Sequence, residues 1–276
     1  MSAIEHAALV ERARRGDKAA LLALVEIAQQ LSYRLAVRMV PDRAEAQDLT
    51  QEILIRVVTG LDRFRGESAF QTWVYRVASN HLLTARKRML EHHIESLEAM
   101  AEKLAEGMAD ALASADAPLE DQLLVREAKL TCTGRMLVGL DREHRLAFIL
   151  GEILELSSEE GAEVLEIEPA TFRKRLSRAR ERMQTFVEKT CGVVDPKNPC
   201  RCALQGARMT RVGHFDATLP WTNHPVCRGG AEQLEGLEGI GRSLQLFRSH
   251  PDYAAPAALA NELRRMIDAD TTGLLK

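Results

Sequence analysis

The chain has 276 residues, of which 46% are hydrophobic and 28% charged, with a formal net charge of −3. That length predicts two or three compact units, and the charge excludes a uniformly basic nucleic-acid coat, so any nucleic-acid contact must come from local patches. No run of about 20 apolar residues predicts a membrane span. The first residues lack the apolar core of a secretion signal, and five cysteines without an export signal predict reduced thiols in the cytoplasm.

Residues 1–90 read as helical. Apolar residues recur at helical spacing from Leu21 to Val40, and Pro41-Asp42 ends that helix. A second helix begins near Ala44 and aligns Leu49, Ile53, Val57 and Leu61 at four-residue intervals. Gly66 interrupts the pattern, and Ser68 is the expected cap of a helix running to about Arg88. The stretch Phe64–Arg88, FRGESAFQTWVYRVASNHLLTARKR, gathers the residue types that grip an unpaired nucleic-acid strand. Cations hold phosphates, rings stack on bases, and amides read base edges. Phe70, Trp73, Val74, Val77 and His81 share one face, so Trp73 is expected to brace the helix rather than touch a base. Tyr75, Arg76, Ser79, Asn80 and Lys87 lie off that stripe. Arg76 and Asn80 are one turn apart and can act together on a phosphate and a base edge. Loop residues Arg65, Gly66, Glu67 and Ser68 offer backbone amides and small side chains that could wrap a flipped base.

Residues 91–127 hold ten acidic residues against two basic ones, Lys103 and Arg126, with no aromatics. This composition predicts a partly helical, weakly packed linker, either a solvated spacer or a chain threading a positively charged channel on a partner.

Residues 128–190 form a second helical unit. The run REHRLAFILGEILEL is amphipathic, Ser157 with Glu160 fits a capping box, and Pro169 suits the first turn of a last helix. Two helices joined by about four residues make a helix-turn-helix. The last helix carries Arg173, Lys174, Arg175, Arg178, Arg180 and Arg182, while Phe172, Leu176, Ala179, Met183 and Phe186 share the opposite face. That arrangement offers guanidinium groups to a major groove from an anchored helix.

Residues 191–276 begin with CGVVDPKNPCRC and are irregular to about Gly230. Two amphipathic helices are expected, over roughly Glu232–His250 and Pro256–Ile267. Cys191, Cys200, Cys202 and Cys227, with His214 and His224, could supply soft ligands to zinc or copper, although the spacing fits no strict zinc template. The alternative is a structural extension with reduced cysteines. No nucleophile–base pair, phosphate loop or catalytic metal motif is present, so no catalytic residue is expected. The chain as a whole should be all-α.

Two motifs in order, DLTQEILIRVVTGLDRFRGESAFQTWVYRVASNHL and LDREHRLAFILGEILELSSEEGAEVLEIEPATFRKRLSRARERM, strongly resemble the bacterial sigma-70 family in its extracytoplasmic-function branch. The similarity covers about residues 8–190. It implies a region-2-like domain over 1–90, a region-4-like domain over 128–190, and a C-terminal extension over 191–276 that could act in cis. On this resemblance Asp48, Gln51, Glu52, Ile53 and Arg56 would dock on the β′ clamp helices of core RNA polymerase, with the β flap as a further partner surface. Phe64, Arg65, Gly66, Ser68, Tyr75, Arg76 and Asn80 would capture the −10 element. Thr171, Arg173, Lys174, Ser177 and Arg178 would read the −35 element as duplex. The acidic linker would pass through the polymerase's RNA path, and an anti-sigma factor belongs among the partners such a protein can have. Two departures stand out: Gly161 replaces a usual aliphatic residue, and Glu166 stands where glycine often makes the turn. The competing reading is a stand-alone helix-turn-helix regulator, which would not need the Phe64–Arg88 segment.

Overall fold

The computed structural model describes residues 3–40, 42–84, 96–114, 120–213, 221–224, 226–228, 240–248 and 251–269. Among these are twelve α-helices and two strands of two or three residues, which matches the expected all-α class. The helices are α1 (Ala3–Arg14), α2 (Lys18–Met39), α3 (Arg43–Thr59), α4 (Phe70–Thr84), α5 (Leu97–Ala113) and α6 (Gln122–Val138). They continue with α7 (Arg142–Phe148), α8 (Ser158–Leu165), α9 (Pro169–Thr190), α10 (Cys202–Arg211), α11 (Ile240–Arg248) and α12 (Ala257–Asp268).

Two compact units result. One comprises Met1–Lys87, Leu156–Phe172 and Tyr253–Lys276; the other comprises Arg88–Glu155 and Arg173–Asp252. These units are not the four consecutive segments read from the sequence, because helices distant along the chain bury their apolar faces together.

In the first unit, α2 is the central helix. Asp17 caps it by accepting from the Ala20 N–H at 3.1 Å, and the chain turns extended at Val40. This helix is apolar and long enough to cross a membrane by composition, but 67% of its most apolar window is buried inside the protein, which marks a core helix. Asp42 caps α3 in the same way, accepting from Glu45 N–H at 2.8 Å. Leu49, Ile53, Val57 and Leu61 are all buried, as their four-residue spacing predicts. Helix α12 adds Leu259, Leu263 and Ile267 to this unit and packs on α2 and α3. Backbone groups ahead of α12 are tied to α2: Gln29 donates to the Pro256 carbonyl and Gln30 accepts from Ala255 N–H, each at 3.0 Å.

In the second unit, Leu97 and Met100 of α5 join Met136, Leu137, Leu140, Phe148, Ala179, Met183, Phe186 and Phe247 in one core. The acidic segment is therefore not a weakly packed spacer over its length. Helix α5 buries one apolar stripe while its many acids face solvent, and α6 already starts at Gln122. Glu127, counted with the acidic segment, is 1% exposed. Its carboxylate accepts from the Trp221 and Thr222 backbone N–H groups at 3.1 and 2.7 Å, so it holds the tail. Arg145 is likewise buried and ties the α6–α7 turn by donating to the carbonyls of Val138 and Leu140. Burial lowers its pKa to about 10. Helix α7 passes into a π-turn at Ile149–Ile153, a wider ring that turns the Glu152 carboxylate into the core.

Both expected tail helices exist with later starts among the described residues: α11 begins at Ile240 and α12 at Ala257. Residues 232–239 of the first expected helix lie outside the described residues, as do Lys87 and Arg88, to which the helix after the loop was expected to run.

Candidate nucleic-acid interface

The loop after α3 is built from backbone tethers and rings. Residues 61–63 form a short 3-10 turn, and Arg14 of α1 donates to the carbonyls of Leu61, Asp62 and Phe64. Nothing in the local pattern of α1 marks Arg14 as this brace. Phe64 is 5% exposed and meets Phe70 edge-on and Trp73 at a tilt, with ring centroids 5.8 and 5.5 Å apart. It is therefore a packing residue and not a base contact. Arg65 and Gly66 are exposed and Ser68 half-buried. Gly66 has φ +72°, where the missing Cβ removes the usual penalty. The first helical bond of α4 runs from Trp73 N–H to the Ala69 carbonyl, so Ala69 rather than Ser68 flanks the helix.

Along α4 the expectation divides. Trp73 is half-buried and braces the aromatic cluster, as its spacing predicts. Tyr75 and Ser79, expected off the apolar stripe, are 2% and 0% exposed. Two opposite helix faces are buried because the helix packs on α2 and α3 on one side and on α8 on another. Tyr75 is thus withdrawn as a contact. Arg76 and Asn80 do reach the surface. Arg76 donates to the Glu163 carboxylate at 3.1 Å and to its carbonyl at 3.3 Å, while Asn80 donates to the Glu166 carboxylate at 3.0 Å. These partners could not be found from helix periodicity, since they lie more than 80 residues away.

On α3, Asp48, Glu52 and Arg56 are exposed and Gln51 is half-buried. Ile53 is 0% exposed and cannot meet a partner. The apolar residue presented on that helix is Ile55, 47% exposed, which the four-residue stripe left out. Glu52 pairs with the buried His81 of α4 at 3.0 Å. Burial, reinforced by the nearby Arg56 charge and only partly offset by Glu52, holds the His81 pKa below its ordinary value.

Helix α8 opens with the predicted capping box. Ser157 Oγ accepts from Glu160 N–H at 3.1 Å and the Glu160 carboxylate accepts from Ser157 N–H at 2.8 Å. One departure from the family pattern has a geometric reason and the other carries strain. A Cβ on Gly161 would stand 2.2 Å from the Phe172 ring, so glycine makes room for that ring. Glu166 ends α8 at φ 53° and ψ 43°, the left-handed position that usually favours glycine.

Helix α9 presents two chemically different faces. Phe172, Leu176, Ala179, Met183 and Phe186 are buried, as expected. Arg173, Lys174, Ser177 and Arg178 are exposed and Thr171 is half-buried. Three other cations are turned back onto the protein. Arg175 pairs with Glu143 at 2.6 Å, Arg182 with Asp141 at 3.4 Å, and Arg180 with the buried Glu152 at 2.6 Å. Glu152 also pairs with Arg248 of α11 at 2.6 Å.

The tail cysteines meet a residue missed by the sequence reading. Cys191, Cys200 and Cys202 line one cavity of about 500 Å³ with Cys132 of α6, and Met100, Met136 and Met209 add three thioethers. Cys132 was separated from the tail by 59 residues, and nothing in its local sequence marked it. Burial pushes the Cys200 thiol up to about 11 and Cys202 up to about 12, with neighbouring thiols adding to both shifts. Burial also raises the Cys132 thiol well above its ordinary value. Among the described residues no group of three His, Cys, Asp or Glu side chains is arranged to hold a metal ion. His224 is buried, whereas His214 and the Cys227 side chain lie outside the described residues.

Comparison with known proteins matches residues 24–89 to sigma-70 region 2 and residues 130–183 to sigma-70 region 4. The chain is 36% identical over 177 residues to the RNA polymerase sigma-H factor of Pseudomonas aeruginosa, covering 63% of this chain and 89% of that protein. It is 34% identical over 184 residues to the ECF RNA polymerase sigma-E factor of Escherichia coli K12, covering 65% of this chain and 93% of that one. The sigma-E factor of Salmonella typhimurium LT2 matches to the same extent. The region 2 match spans α3, the loop and α4, which a stand-alone helix-turn-helix regulator would not require.

Proposed function

Because this chain belongs to the extracytoplasmic-function branch of the sigma-70 family, we propose a division of promoter recognition among its surfaces. The protein is a transcription initiation factor: it binds core RNA polymerase and directs it to specific promoters, without catalysis of its own and without a required cofactor. The observation that carries this reading is the ordered pair of matched regions, each bearing an exposed polar surface.

In the proposed division, Arg173, Lys174, Ser177 and Arg178 of α9, flanked by Thr171, read the −35 duplex. Their exposure on an anchored helix supports this role. Arginine forks suit guanine edges and phosphates, and lysine supplies a point charge. The −10 strand is held by Arg76, Asn80, Arg65, Gly66 and Ser68. Asp48, Gln51, Glu52 and Arg56 dock on polymerase, and Ile55 joins them as the apolar anchor. Work on polymerase and DNA assigns the chain to the cytoplasm.

The C-terminal extension regulates this activity in cis. Support comes from α12, which packs on α2 and α3, and from α11, whose Phe247 meets Phe148 edge-on at 5.3 Å. A zinc or copper ion at the tail thiols is the narrower form of this idea. The sulfur-lined cavity favours it, and the lack of a ligand-like arrangement among the described residues counts against it. Metal content of the purified chain, with and without Cys132, Cys191, Cys200 and Cys202, decides that point.

The test of the whole reading is transcription by purified core polymerase on promoters carrying −35 and −10 elements. Initiation that requires this chain, and falls with Arg178→Ala, supports it. Duplex binding without initiation would return the protein to the stand-alone regulators. Loosening the tail with Leu263→Ser and Ile267→Ser should raise polymerase binding, and unchanged binding and output would remove the cis-regulatory role.

A further inference from the structure

The sulfur-lined cavity lies within one compact unit, between α5, α6, the end of α9 and α10. Its floor is apolar, with Met100, Ala128 and Met136 buried there. Burial keeps the Cys132, Cys200 and Cys202 thiols protonated and uncharged at neutral pH. Thiols apart, the neutral polar side chains of the wall are already used within the protein. Thr190 donates to the Phe186 carbonyl at 2.7 Å, and Gln205 donates to the Leu104 carbonyl at 3.2 Å. The mouth has a different character. Lys103 and Arg135 are exposed and Arg208 is half-buried, against the one lining acid, Glu106. Arg208 pairs with Asp110 at 3.1 Å, and with that acid counted the mouth still carries a net positive charge.

We propose that this cavity is a binding site for an amphipathic anion: an apolar body of fatty-acid or aromatic-acid type fills the sulfur-lined floor, and its carboxylate meets Lys103 and Arg135 at the mouth. The volume of about 500 Å³ lies within the usual range of small-molecule sites. Methionine and cysteine sulfurs are polarizable and adapt to apolar bodies of varied shape.

Three features favour an organic anion over the other occupants. The walls are held apart by polar ties around the space. Asp110 takes Arg211 at 2.8 Å as well as Arg208, and Asn198 donates to the Glu188 carbonyl and Arg201 to the Pro196 carbonyl, each at 2.8 Å. These contacts seat α10 and the turn before it without filling the space between them, and an unfilled apolar space forfeits packing contacts. Water is a poor occupant, because each buried molecule needs two to four polar partners and the floor supplies few. A metal ion fits less well, since no three ligands among the described residues are arranged to hold one. The occupant would touch α5 of the acidic segment and α10 of the extension together, so binding fastens one to the other.

The test titrates the full chain by calorimetry with decanoate, kept below the concentration at which it forms micelles, and with its uncharged counterpart decanol. Decanoate should bind about 3- to 10-fold more tightly than decanol, the range expected for one or two exposed charge contacts. Lys103→Ala with Arg135→Ala should abolish that preference and leave decanol binding unchanged. Both residues are exposed, so this pair leaves the core intact. Cys132→Phe should remove binding of both compounds by filling the floor, and the milder Cys132→Leu should weaken both, with circular dichroism checking that each variant folds. Bound decanoate should also slow amide exchange across Cys202–Arg211. Absence of binding by either compound overturns the site. So does equal affinity for the two, or decanoate binding that persists in folded Cys132→Phe. Uptake of zinc ion without any decanoate binding assigns the cavity to a metal and overturns it as well. Unchanged exchange across Cys202–Arg211 would place the ligand elsewhere and has the same consequence.

Discussion

The outward edge of α4 and the outward face of α9 carry similar chemistry but are presented in opposite ways. On α9 the acids lie behind the helix: Glu143, Glu152 and Asp141 draw back Arg175, Arg180 and Arg182, while Arg173, Lys174, Ser177 and Arg178 stay exposed. On α4 the acids lie in front, and Glu163 and Glu166 occupy Arg76 and Asn80. At α4 the outward donors Arg76 and Asn80 already have carboxylate partners. The lesson is that the count of cations on a helix says little until their acidic partners are located. Of six cations on the basic part of α9, at least three serve the protein's own structure.

The largest effect is expected at Glu152. This carboxylate is 0% exposed and held by two arginines. Replacing both Arg180 and Arg248 by Met leaves its charge buried and unpaired, and the second unit should lose about 3–5 kcal/mol in denaturant unfolding. A loss below about 1 kcal/mol would show that Glu152 is not the anchor behind α9.

A smaller effect separates reading from anchoring. Arg178→Ala should weaken binding to a −35 duplex by about 1–3 kcal/mol while changing stability by less than about 0.5 kcal/mol. Equal losses in both would place Arg178 among the structural cations instead.

The turn between the helices gives the next increment. Gly161→Ala adds a methyl group where Phe172 already stands. Overpacking typically costs about 1–3 kcal/mol, from which alanine's helix preference of about 0.5–1 kcal/mol is subtracted. A net loss near 1 kcal/mol in thermal unfolding is expected, and an unchanged or higher melting temperature would mean that Phe172 swings away freely.

The smallest effect concerns pH. His81 is held below its ordinary value of 6.5, mainly by burial. The unfolded chain therefore takes up a proton before the folded one does. The contribution of neutral His81 is complete above about pH 6.5 and is lost as the pH falls below it. His81→Gln should flatten the acid limb of the stability profile in that window, and an unchanged slope would assign it to other groups.

Particular residues show where the sequence was legible. The cap at Ser157, the buried stripe of α3 and the two faces of α9 followed from spacing, because one helix face or one local hydrogen bond decides each of them. Tyr75, Phe64 and Ile53 were misjudged as contacts because more than one neighbouring element buries them. Periodicity on a single helix reports one apolar stripe and cannot count how many faces are covered. The acidic segment was misread for a related reason. Composition there is dominated by solvent-facing acids, while a few residues such as Leu97 and Met100 supply the core.

The helical class, the family, the two matched regions in their order and the two chemically different faces of α9 were set by the sequence alone. Those properties depend on local period, capping and residue chemistry, which neighbours along the chain specify. Tertiary structure alone decided that Glu163 and Glu166 occupy Arg76 and Asn80, that Glu127 grips the tail, and that Cys132 joins Cys191, Cys200 and Cys202 around one cavity. Each of these joins residues separated by more than 50 positions, and their approach is set by which apolar faces pack together.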